Sequence, residues 1–70
     1  MKITYDPEVD AIYITLKGHG VDHTVRVSED MAIDYGPDGE IHGIEVLSAS
    51  KHLGFKRDAP KVELVNVRPT

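Results

Sequence analysis

Ile33-Asp34-Tyr35-Gly36-Pro37-Asp38-Gly39-Glu40-Ile41-His42-Gly43-Ile44-Glu45-Val46 decides the fold. Apolar residues alternate with polar ones on both sides of Gly36-Pro37-Asp38-Gly39. Pro37 occupies the second turn position and Gly39 stands where a left-handed backbone is needed, so the stretch predicts an antiparallel hairpin. Simple pairing around Pro37-Asp38-Gly39 would set Ile33 against Gly43 and Met31 against Glu45, mixing the two faces. A bulge at Gly43 restores Ile33 with Ile44 and Met31 with Val46. The same turn brings Asp34 and His42 across from each other on the polar face.

Outward from this hairpin the period of two continues. It runs through Ile3 and Tyr5; Ile12, Ile14 and Leu16; Val25 and Val27; Met31, Ile33 and Tyr35; and Val65 and Val67. Val and Ile make up 14 residues of the chain, and these β-branched types suit a pleated surface better than a helix. Asp6-Pro7, Gly18-His19-Gly20 and Ser28-Glu29-Asp30 supply further turns, Asp6 capping and Pro7 fixing the backbone angle of the first.

The expected class is therefore mainly β (α+β), an antiparallel meander of four to five strands. Leu16 opposite Val21 would place Ile14 against His23 and Ile12 against Val25. Val27 opposite Met31 would place Val25 against Ile33 and His23 against Tyr35. One face is then apolar and needs a cover. Ser48-Ala49-Ser50-Lys51-His52-Leu53-Gly54 reads as one short helix with a serine cap and a glycine stop, and Val62–Val67 as a C-terminal strand.

Seventy residues allow one domain, 1–70. A chain this small buries only about 60 % of the surface its unfolded form exposes. It has no cysteine, and no Cys/His zinc framework can be written, so self-association as a homodimer is the expected source of added stability. Eight basic residues against twelve acidic ones, net charge −4, give no footprint for nucleic acid. No apolar run approaches the roughly 20 residues of a membrane span, and the start has no signal-peptide core. A cytoplasmic location without membrane contact is expected.

Two segments resemble a known family. They are Tyr5-Asp6-Pro7-Glu8-Val9-Asp10-Ala11-Ile12-Tyr13-Ile14, and Ile33 to Leu47 followed by Ala49-Ser50-Lys51. Both are similar to the short prokaryotic proteins catalogued as domain of unknown function 2283, which typically read YDPEADALYI, then a variable hairpin, then a DYDEDGRIVGIEIL-like segment and an ASK-like end. The resemblance covers about residues 2–53, a family-like meander, and leaves 54–70 as a C-terminal extension. It implies no agreed activity and no catalytic residues. Because such genes often neighbour genes for small toxin-like proteins, it suggests an antitoxin-like role for some members.

The chemistry-bearing residues are few. Asp6, Glu8 and Asp10 alternate like the first half of a calcium loop, but Ala11 stands where that loop needs a glycine for its sharp turn and no bidentate Glu follows at its end, around Leu16, so a solvated turn is expected. His19, His23, His42 and His52 invite a metal, yet Gly18 and Gly20 argue for a loop and the register turns His23 toward Tyr35. No metal or cofactor is expected. An oriented Asp34–His42 pair could serve a small-ligand or metal-dependent enzyme as general base, but no nucleophile elbow, phosphate loop or HExxH pattern occurs. Tyr13, Arg26, Asp34 and His42 together form a candidate interaction face, since Tyr and Arg favour interfaces. The leading expectation is a non-enzymatic protein–protein interaction domain, with a small protein as a possible partner.

Overall fold

The computed structural model describes residues 1–18 and 20–68. Five strands, β1 (Lys2–Asp6), β2 (Ala11–Thr15), β3 (His23–Ser28), β4 (Met31–Tyr35) and β5 (Ile41–Val46), precede one helix, α1 (Ala49–Leu53). All neighbouring strands are antiparallel, in one open sheet. The mainly β class and the short helix agree with the sequence pattern.

The strand order does not follow the expected meander. It is β1-β2-β5-β4-β3, so β2 pairs with β5 and the expected β2–β3 hairpin does not form. β3, β4 and β5 are joined in series by short turns, and the free side of β5 offers β2 a matched partner: Ile12 meets Val46 and Ile14 meets Ile44. The arrangement of β2 to β5 is a Greek key. Its long connection, from β2 to β3, passes the ends of β5 and β4. There Leu16 N–H and Lys17 N–H donate to His42 O at 2.8 and 3.2 Å, and Asp22 N–H donates to Tyr35 O at 2.7 Å.

The expected apolar face exists. One row across all five strands is Ile3, Ile14, Ile44, Ile33 and Val25, and a second contains Tyr5, Ile12, Val46 and Met31. Ile33–Ile44 and Met31–Val46 pair as expected, but the bulge in β5 falls one residue earlier, at His42. Gly43 stays in the ladder, opposite both Asp34 and Thr15, and Tyr35 meets Ile41. In the β3–β4 hairpin His23–Tyr35 and Val25–Ile33 pair as expected. Ser28 rather than Val27 opposes Met31, because Glu29-Asp30 closes a two-residue turn and Val27 bulges out.

Helix α1 covers only the second apolar row. Ile12, Val46 and Ala49 form the buried cluster, with Tyr5, Ile14, Ile44 and Phe55 packed against it. The helix ends as expected at Gly54, whose φ of 71° is left-handed. The expected strand at Val62–Val67 does not form. Residues 60–68 carry no regular structure and pair with neither edge strand, β1 or β3.

Candidate functional site

Asp6 and Pro7 make the expected turn, with Asp6 Oδ1 accepting from Glu8 N–H at 3.0 Å. The three alternating carboxylates do not converge, because Asp10 turns inward. In a left-handed conformation (φ 54°), Asp10 accepts from Tyr5 Oη–H at 2.6 Å, Ser50 Oγ–H at 2.7 Å and Ser50 N–H at 3.1 Å, while its carbonyl accepts from Ala49 N–H at 2.9 Å. Tyr5 and Ser50 as donors hold its carboxyl below the usual range. Burial and this same bond push the Tyr5 phenol up. Asp10 therefore caps α1, and the serine cap expected at Ser48 is absent: Ser48 is itself left-handed (φ 50°) and its side chain makes no capping bond. The two family-like segments meet at this carboxylate, a link that spacing alone did not signal.

Asp34 pairs in the ladder with Gly43, not with His42 as expected. The bulge at His42 takes it out of alternation, so the two residues belong to different networks. His42, only 5 % exposed, places Nδ1 3.0 Å from Gly20 O and Nε2 2.9 Å from Asp38 Oδ1. Both ring nitrogens thus face acceptors, a backbone carbonyl and a carboxylate. The imidazole ties the β2–β3 connection to the β4–β5 turn. Asp38 also accepts from Glu40 N–H at 3.0 Å; this bond and His42 lower its carboxyl's pKa. The expected turn at Pro37, Asp38 and Gly39 is present, with Gly39 at φ 79° and Gly39 N–H donating to Gly36 O at 3.0 Å. Lys17 adds a 2.7 Å bond to Glu40 beside it.

Tyr13, Arg26 and Asp34 do share the polar face. Tyr13, Glu45, Ala32 and Arg26 lie in one row, with Gly43 and Asp34 in the next. The Tyr13 ring crosses Gly43, where a Cβ would stand 2.1 Å from Oη. Gly43 thus serves a close approach rather than the bulge expected of it. Tyr13 Oη–H donates to Asp34 Oδ2 at 2.5 Å, and Thr24 Oγ1–H to Asp34 Oδ1 at 2.5 Å. The bond to Asp34, with burial, pushes the Tyr13 phenol up to about 12. Thr24 and Tyr13 hold Asp34 low. A phenol this hard to ionise and a carboxylate with a donor on each oxygen make a structural brace. Arg26 stands 3.5 Å from Glu45 and donates to Glu29 O.

His23 stacks on Tyr35, ring centroids 5.0 Å apart, as the register predicts. His52 Nε2 lies 2.8 Å from Asp30 Oδ2 and pins α1 to the β3–β4 turn. His19 lies outside the described residues. Among the described residues no three His, Cys, Asp or Glu side chains could hold a metal ion, and no helix is long and apolar enough to cross a membrane.

What the polar networks leave unsatisfied is the first apolar row. Ile3, Ile14, Ile44, Ile33 and Val25 carry no charge, lie outside the buried cluster's centre, and end in exposed Ile3 and Val25. Exposed Leu16 and Val27 flank them.

These features define an open, five-stranded antiparallel sheet with one half-covered apolar face. The family model described as protein of unknown function (DUF2283) matches residues 2–50, and the chain belongs to that family. No curated protein and no solved structure matches it.

Proposed function

We propose that the protein is a non-enzymatic protein–protein interaction domain whose contact surface is the open half of the apolar sheet face. The observation that carries this reading is the uncharged row Ile3, Ile14, Ile44, Ile33 and Val25, which packs against the buried cluster only at Ile14 and Ile44 and is exposed at Ile3 and Val25. A continuous apolar row that stays half-buried at its centre and open at both ends is surface of the kind that a partner covers. On the other face Tyr13 and Thr24 are engaged by Asp34, and Asp34 and His42, the residues an enzyme reading would use, serve separate structural networks. An antitoxin-like role would use the same row against its protein target.

The test compares captured proteins. Immobilised wild-type protein, exposed to an extract of the cells that make it, is expected to retain a specific partner, its own copies included. Val25→Lys is expected to lose it. Val25 is 45 % exposed, so lysine there leaves the fold intact. Equal capture by both proteins would exclude this face as the contact.

A further inference from the structure

We propose that the occupant of the open row is a second copy of this chain, and that residues 59–68 of each copy form an arm that lies on the other. The inference rests on the reading of that row as a contact surface and names its partner.

The arm supplies the first argument. Val62, Leu64, Val65 and Val67 are β-formers and apolar, yet all are exposed, Leu64 to 92 %. The ion pair described in the arm, Lys61 Nζ to Glu63 Oε1 at 3.5 Å, cancels those two charges and leaves Arg68 as the arm's net charge. A single chain therefore presents two incompletely covered apolar surfaces, the row, half-buried at its centre and exposed at Ile3 and Val25, and the arm. They adjoin: Pro60 and Val62 line a cavity with Met1, Ile3, Tyr5 and Phe55, where the arm leaves the β1 end of the row.

Area supplies the second. Five strands about 4.8 Å apart give a row roughly 24 Å wide. With about 6.6 Å of strand length, the two-residue repeat of one face, it presents on the order of 160 Å², against roughly 800 Å² per partner in a standard interface. The row alone falls short. Ten extended arm residues reach about 33 Å, enough to cross the whole sheet of a neighbour and supply the remainder.

Charge and stoichiometry supply the third. Each copy carries −4, so like copies repel through their charged surfaces; the row is uncharged, and the arm, with Lys61 and Arg68 against Glu63, is net +1 and opposite in sign to the rest of the chain it would lie on. Every chain brings one row and one arm, and a two-fold axis uses both and closes.

Light scattering and sedimentation over a concentration series test this in the full chain. Wild type is expected at twice the 7.7 kDa chain mass. Val25→Lys in the row, and Leu64→Asp with Val65→Asp in the arm, are each expected to raise the dimer dissociation constant at least tenfold. All three sites are exposed in the single chain, so unchanged melting of a monomeric variant shows that folding is intact. A wild-type monomer at about 100 μM overturns the second copy as occupant. If that monomer still captures a partner that Val25→Lys loses, the interaction reading stands without this inference. A dimer indifferent to the arm substitutions overturns the arm, and one indifferent to Val25→Lys overturns the row as contact.

Discussion

The two faces of the sheet solve the same problem in opposite ways. On the polar face Tyr13 reaches over Gly43 to Asp34, Thr24 meets the same carboxylate, and Arg26 lies beside Glu45; each group finds its partner within the chain. On the apolar face α1 buries Ile12 and Val46 and leaves the next row open. Polar groups are satisfied pairwise over a few ångströms, whereas apolar surface needs area, and a five-residue helix has little to give. A small chain can thus close its hydrogen bonds while leaving its hydrophobic surface unfinished.

The sharpest way to break the contrast is within the apolar face itself. Ile12→Ala, under α1, is expected to cost about 3 kcal/mol of stability, and Val25→Ala, in the open row, less than about 1. Urea unfolding at low protein concentration measures both, and equal losses would mean that the row is already covered.

On the polar face Gly43→Val is expected to cost about 2 kcal/mol, because its side chain would displace the Tyr13 ring. Combining it with Tyr13→Thr should recover part of the loss, and a double-mutant cycle reads that coupling. Additive losses would show that the ring does not depend on Gly43. Gly39→Val, which belongs to neither face, is expected to cost somewhat more than about 1 kcal/mol through its left-handed angle alone. An unchanged thermal midpoint would refute the turn geometry.

The smallest effect sharpens the comparison through pH. Tyr13→Phe removes one hydrogen bond, worth about 1 kcal/mol. Because the Tyr13 phenol is raised to about 12, its contribution is whole below about pH 10 and fades as pH climbs through about 12. Asp34 is depressed, so its share is whole above about pH 4 and is lost as pH falls further. Phenolate absorbance during alkaline titration should show a late step that Tyr13→Phe abolishes; its survival would assign that step elsewhere.

Much of this was legible in the chain. Period-two alternation yields the strands and the apolar face. Gly36-Pro37-Asp38-Gly39 yields the hairpin, and matching of Ile33 with Ile44 yields its register, because a one-residue slip would turn every side chain over. The candidate face was legible in part. Tyr13, Arg26 and Asp34 share it by parity, but parity misplaces His42, where the bulge interrupts the count. Asp10 was read as solvated because nothing near it in sequence announces Ser50, 40 positions later.

Local alternation and turn chemistry, then, were determined by the sequence by itself: strand identity, strand faces and the close of each tight turn depend on neighbours within a few residues. Only the tertiary structure decided that β2 lies against β5, that Asp10 rather than Ser48 caps α1, that Gly43 makes room for Tyr13, and that residues 60–68 find no strand partner in their own chain. Each of these depends on which distant surfaces compete for the same edge or the same hydrogen-bonding group. That competition is settled by packing across the whole sheet, to which no short window of sequence has access.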